Sequence, residues 1–155
     1  MKTDPIVIEQ TYNAPVERVW AAITDLEKMQ QWYFPTLAEF EPKVGFETRF
    51  DVLHDGKTFP EHIWKVTEVV PGKKISYEWK FGGYPGVSLL TMELFDAEGK
   101  TRVVLTHAGL ETHEGDKHPD FAISNFVRGW TYFTNTSLKD YLEKENYVQK
   151  PIQHQ

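Results

Sequence analysis

Between Gly45 and Ala108 the chain passes through five segments in which apolar and polar residues alternate. They are Gly45–Leu53, His62–Val70, Lys74–Phe81, Val87–Phe95 and Thr101–Ala108. Short stretches of turn chemistry separate them: His54-Asp55-Gly56-Lys57, Pro71-Gly72, Gly82-Gly83-Tyr84-Pro85-Gly86 and Asp96-Ala97-Glu98-Gly99. Period-two alternation reads as half-buried strand, and joints this short hold no crossover helix, so neighbouring strands must pair antiparallel. Pro5–Tyr12, bounded by Pro5 and the Asn13-Ala14-Pro15 break, predicts an earlier strand, and Ala38–Pro42 a weaker one.

The alternation can be phased. Ile75, Tyr77 and Trp79 share one face, as do Leu90, Met92 and Leu94, then Val103, Leu105 and His107, then Phe46, Thr48 and Phe50. The opposite face carries mainly polar residues, so the sheet has one aromatic, apolar side that another element must cover. Two short helices are expected after the first strand. Pro15 suits a helix start, Val16, Val19, Trp20 and Ile23 fall on one helical face, and Thr24-x-x-Glu27 resembles a capping box that restarts the chain through Trp32. The long cover is Pro119–Glu143, about 37 Å if helical, with Ile123, Phe126, Trp130, Phe133, Ser137 and Tyr141 at helical spacing. Gly129 inside it suggests close packing, since glycine there otherwise weakens a helix.

Composition excludes several function classes. A chain of 155 residues suits one domain, 1–150, with 151–155 as a frayed tail. A net charge of −6 argues against nucleic acid and anionic lipid as partners. Without cysteine there are no disulfides, thiolate metal sites or cysteine nucleophile. The opening MKTDPIVIEQ reads as no signal peptide, and no run approaches a membrane span, so a cytoplasmic domain without membrane insertion is expected.

Several residue sets add a resemblance. Asn13-Ala14-Pro15-Val16-Glu17-Arg18-Val19-Trp20, followed by Ile23-Thr24-Asp25 and Trp32, resembles the entry of the START-like (SRPBCC) superfamily of birch-allergen and polyketide-cyclase relatives. Val66-x-Glu68-Val69-x-Pro71, Gly99-x-Thr101-Arg102-x-x-x-Thr106-His107, and Gly129-Trp130 before Leu138 and Leu142 resemble the branch named for the activator of the heat-shock-protein-90 ATPase. The likeness runs from about Ile6 to Glu143. It implies an α+β helix-grip fold, a curved antiparallel sheet wrapped around the long C-terminal helix, often with a cavity that binds hydrophobic molecules. It also implies a link to the chaperone: in the eukaryotic activator this kind of domain assists a separate N-terminal domain, for which 155 residues leave no room.

Three readings of function stay open. Phe50, Trp64, Tyr77, Trp79, Met92, His107, Phe126, Trp130 and Phe133 can line a pocket for a hydrophobic small molecule, since aromatic walls suit flat apolar ligands and methionine adapts to irregular ones. The same residues can instead fill the core. The second reading is a co-chaperone that meets a heat-shock-protein-90 type ATPase by surface contacts. The third is a cyclase- or hydrolase-type enzyme using His107, or Glu68 if it shares the inward face of Trp64 and Val66. A core histidine and a paired surface carboxylate are the plainer alternatives for those two. No catalytic residue and no cofactor is assigned. The loop Thr112–Asp120 (THEGDKHPD) carries His113 and His118, but their spacing fits neither a helix-face zinc site nor a calcium loop, so no metal is expected. The glycine cluster at 82–86 lies between strands and is a turn, because a phosphate cradle needs a helix N-terminus. A monomer and a homodimer paired through an edge strand are both compatible with the chain.

Overall fold

The computed structural model describes residues 3–54 and 56–144. The predicted tail at 151–155 lies outside them. Six antiparallel strands form one sheet in the order β1-β6-β5-β4-β3-β2. The strands are β1 (Ile6–Tyr12), β2 (Glu47–His54), β3 (Lys57–Val70), β4 (Lys74–Phe81), β5 (Ser88–Ala97) and β6 (Lys100–Ala108). Helices α1 (Val16–Thr24) and α2 (Leu26–Trp32) carry the chain from β1 at one edge to β2 at the other. A helical segment begins with α3 (Ile123–Tyr132), passes through a π-helical turn at Phe133–Ser137, and continues as α-helix over residues 138–144. This is the helix-grip arrangement, and the inward residues phased from sequence are its core: Trp64, Ile75, Tyr77, Leu90, Leu105 and His107 are at most 1 % exposed.

Four local expectations are corrected. Residues 38–42 form no strand; Phe40 is buried there, but nothing pairs with the backbone as a ladder. The Thr24–Glu27 capping box does not form. Thr24 closes α1 with its hydroxyl donating to the Trp20 carbonyl, and Asp25 stands at the start of α2. The long helix starts at Ile123 rather than Pro119, because Pro119–Phe121 is a separate single turn. Gly129 makes no close approach: a Cβ there would meet nothing within 4 Å.

Two irregularities in β3 shape the sheet. Phe50 pairs with His62 and Val52 with Phe59, so β3 holds an extra residue near Pro60, whose missing N–H suits a break in the ladder. Val66 pairs with Tyr77 but Glu68 with Ser76, so Thr67 is a second insertion. Regular alternation would turn Glu68 inward with Trp64 and Val66. The extra residue reverses the phase, and Glu68 is exposed and paired with Lys74 at 3.2 Å.

The π turn also has a consequence for packing. Trp130, Thr134, Leu138 and Leu142 are all buried, four residues apart. In an uninterrupted α-helix each such step drifts roughly 40° around the axis, enough over three steps to turn the last residue away from the sheet. One wider turn absorbs the drift and keeps all four inward. Tyr12 Oη donates to the Thr134 carbonyl at 2.7 Å and Ser137 Oγ to the Trp32 carbonyl at 2.6 Å, tying this part of the helix to β1 and α2.

Two glycines should respond oppositely to alanine. Gly86 has φ +101°, and a Cβ there would lie 2.3 Å from the Thr112 carbonyl oxygen. Gly86→Ala should cost about 2 kcal/mol or more, whereas Gly129→Ala should stabilise by about 1 kcal/mol. Urea unfolding of both variants measures the pair of signs, and a destabilising Gly129→Ala would contradict the open helix face described above.

Candidate functional site

Cross-strand register brings the predicted aromatic residues together. Trp64 of β3 faces Trp79 of β4, and Val66 faces Tyr77, which places the Trp64 ring 5.1 Å from Trp79 and 4.6 Å from Tyr77. Phe50 of β2 stands edge-on to Trp64 at 4.8 Å. From the helix, Trp130 lies 5.5 Å from Trp79, and Phe126 meets His107 at 5.4 Å. Met92 sits farther along the sheet, between Ile75 and Leu105.

Tyr33 and Phe34, just past α2, are at the centre of this cluster, and the sequence reading did not single them out. Tyr33 contacts Trp64, Trp130 and Phe133 at 5.3, 5.9 and 5.1 Å, and Phe34 contacts Phe50, Trp64 and Phe133 at 5.3, 5.7 and 5.2 Å. The signal available in sequence was the unbroken triplet Trp32-Tyr33-Phe34, which no regular helix face can accommodate. Phe133 is half-buried over these two rings, at the first position of the π turn. Ring therefore packs on ring between sheet and helix. Two concavities of about 330 and 130 Å³ lie elsewhere, one beside Ala38, Glu39 and Glu47–Arg49, the other among Pro60, Tyr84 and residues 117–121.

The polar groups of the interior fall into two sets. In the first, every proton has a place. The Trp130 indole N–H donates to Nδ1 of His107 at 2.9 Å, which leaves the His107 proton on Nε2. That nitrogen lies 2.8 Å from Ser88 Oγ, and the same oxygen lies 2.8 Å from Nε2 of His113. His113 Nδ1 faces the Pro85 carbonyl, which can only accept, so its proton is on Nδ1 and its Nε2 takes the Ser88 hydroxyl hydrogen. The order Trp130→His107→Ser88→His113→Pro85 is fixed from both ends, and all three middle side chains are at most 2 % exposed. Both His107 nitrogens are engaged, so it has no lone pair free to accept a proton from a substrate. Burial lowers its pKa to about 3, with the His113 ring adding to the effect, and His62 to about 4; burial also lowers His113.

In the second set two donors reach no acceptor. The indole nitrogens of Trp64 and Trp79 are buried with no hydrogen-bond partner among the described residues. Beside them, Tyr33 Oη and Tyr77 Oη share one hydrogen bond at 2.8 Å. Burial holds both phenols protonated, well above their usual range, so the pair has two hydroxyl hydrogens and one mutual bond. Among the described residues, no cluster of three or more His, Asp or Glu side chains is arranged to hold a metal. His113 is turned inward to Ser88, while His118 stands edge-on to Tyr84.

The family model described as "Activator of Hsp90 ATPase homolog 1-like protein" matches residues 13–143. The chain belongs to that family. No curated protein matches in sequence. Among solved structures, a Chromobacterium violaceum protein superposes with TM-score 0.75 at 22 % identity, covering 90 % of this chain and 97 % of its own. A protein of the dynemicin biosynthetic locus reaches 0.70 at 23 % identity, over 91 % of this chain and 48 % of the other. A Plasmodium falciparum HSP90 activator reaches 0.55 at 27 % identity, over 69 % of this chain and 74 % of its own. The first two likenesses establish fold alone. Among the described residues no helix is long and apolar enough to cross a membrane.

The histidine network makes two predictions. Ser88→Ala leaves the His107 Nε2–H without an acceptor and His113 Nε2 without a donor, which should cost about 3 kcal/mol in urea unfolding; a change below about 0.5 kcal/mol would contradict the network. The pH dependence follows from the depressed histidine values. Above about pH 6.5 the imidazoles are neutral in both states and their contribution to stability is whole. As pH falls from there towards 3, the unfolded chain takes up protons that the folded chain refuses, and stability drops. Between pH 6 and 4, His107→Gln should lose about 1 kcal/mol less per pH unit than the wild type. Equal slopes would mean that His107 titrates alike in both states.

Proposed function

We propose that the domain binds a hydrophobic small molecule between the inner face of the sheet and the C-terminal helix, among Trp64, Tyr77, Trp79, Trp130 and Phe133. The observation that carries this reading is the π turn at Phe133–Ser137. The helix closing the aromatic interior departs from α geometry where Phe133, half-buried, caps Tyr33 and Phe34. Such turns recur at functional sites. The interior is lined by rings that suit a flat apolar guest, and its unpartnered indole donors mark it as more than a hydrocarbon core. Engagement of both His107 nitrogens and exposure of Glu68 weigh against the enzyme reading.

A second reading is supported by the family itself and by the likeness to the Plasmodium falciparum HSP90 activator: a domain that binds or stimulates a heat-shock-protein-90 type ATPase through its surface. The two make different predictions. Native mass spectrometry of freshly purified protein should show an added mass that denaturation removes, and Phe133→Ala should change how much of it is retained. Bare protein, together with a chaperone ATPase rate that rises with added domain, would replace the first reading by the second.

A further inference from the structure

The interior near Phe133 is unbalanced in one direction. Trp64 and Trp79 are 0 % and 3 % exposed, and neither indole N–H has an acceptor among the described residues. The adjoining Tyr33–Tyr77 pair has one more hydroxyl hydrogen than its single mutual bond employs. All three hydrogens are donors, and the phenol oxygens, whose lone pairs could accept, make no hydrogen bond to either indole. The other two indoles of the core are satisfied, Trp32 by the Ala22 carbonyl at 2.7 Å and Trp130 by His107 at 2.9 Å. The shortage is therefore local to the rings that face each other across β3 and β4. A buried donor left without a partner carries the full desolvation penalty, and native proteins seldom tolerate several together. Desolvation also keeps both phenols un-ionised, so no anion within the cluster can serve as the acceptor.

We infer that the guest of this interior is a flat apolar molecule bearing at least one uncharged hydrogen-bond acceptor, of the carbonyl class, which receives the indole hydrogens of Trp64 and Trp79. This rests on the small-molecule reading proposed above and adds the chemistry of the ligand. A carboxylate is disfavoured because, among the described residues, no lysine or arginine is buried to offset its charge. A plain hydrocarbon is disfavoured because it would leave every donor as it found it. Discrimination should resemble that of sites built to hydrogen-bond one substrate atom, which reject the analogue lacking it.

The test uses a matched pair of probes that differ by one oxygen, 2-acetylnaphthalene and 2-ethylnaphthalene, with affinities read by tryptophan fluorescence and by indole cross-peaks of protein labelled with [15N]tryptophan. The ketone should bind roughly tenfold or more tightly, and should move the Trp64 and Trp79 indole resonances downfield while 2-ethylnaphthalene does not. In Trp64→Phe and Trp79→Phe the ketone-to-hydrocarbon ratio should fall towards one. Each ratio is taken within a single variant, so altered packing cancels, and the wild-type resonances keep the test alive if a variant fails to fold. Equal affinity for the two probes would overturn the acceptor inference and leave the binding reading standing. Failure of both probes to bind would overturn both. A preference that survives in both variants would overturn the assignment to these indoles. So would strong water cross-peaks to both indole hydrogens that persist with the ketone bound, because the donors would then serve structural water.

Discussion

Trp130 donates its indole hydrogen to His107 from the opposite layer of the core, and the positions of several other protons follow from that bond. Because Nδ1 of His107 is an acceptor, its Nε2 must be a donor; Ser88 must then accept from His107 and give its own hydrogen to His113. His113 in turn faces the carbonyl of Pro85, in the turn between β4 and β5. Thr112, its neighbour, bonds both the N–H and the carbonyl of Val87, while the Thr112 backbone passes so close to Gly86 that only glycine fits. One hydrogen bond between helix and sheet thus orders a turn and a connecting loop that contribute little apolar area themselves. Low dielectric makes such a network stabilising when complete and costly when any member is removed.

The same interior holds a second polar group with the opposite character. Around His107 each donor meets an acceptor. Around Trp64, Trp79 and the Tyr33–Tyr77 pair, two indole donors reach no acceptor among the described residues. The boundary between the two runs through Trp79, whose carbonyl lies 3.3 Å from Ser88 Oγ while its indole hydrogen has no partner among the described residues. The helix above follows this division. Its α3 part carries Trp130 and is anchored to His107, whereas the π turn begins at Phe133, over the unbalanced side. The core thus combines a half held by a complete hydrogen-bond network with a half whose two indole donors have no partner among the described residues.

Much of this was legible in the sequence. Period-two phasing placed Trp79, Leu90, Leu105 and His107 on a common face, because alternation on a half-buried strand is imposed by the pleat and needs no tertiary information. It failed where the pleat is interrupted: the extra residue at Thr67 reverses Glu68, and nothing in Val66-Thr67-Glu68 announces the bulge. The helix was placed, but its π turn was not. The clue was the four-residue spacing of Trp130, Thr134, Leu138 and Leu142, which a 3.6-residue period cannot keep on one face. Ser88 and His113 were beyond reach for another reason. They meet only because the loop after β6 folds back over the start of β5, and His113 lies in an acidic stretch whose composition points to metal chemistry instead. Tyr33 and Phe34 were overlooked because they follow a helix end, where no periodicity applies.

Binding between sheet and helix requires the Trp64–Trp79 side of the core to open independently of the rest, and hydrogen exchange at the indole nitrogens measures that most directly. Trp130, anchored to His107, should exchange only through global unfolding, with a rate that tracks the stability measured in urea. Trp64 and Trp79 should exchange much faster than that limit, through local displacement of Phe133, and should slow when a ligand is bound. Exchange of all three at the single global rate would mean that this interior is a closed core throughout, and would contradict the account.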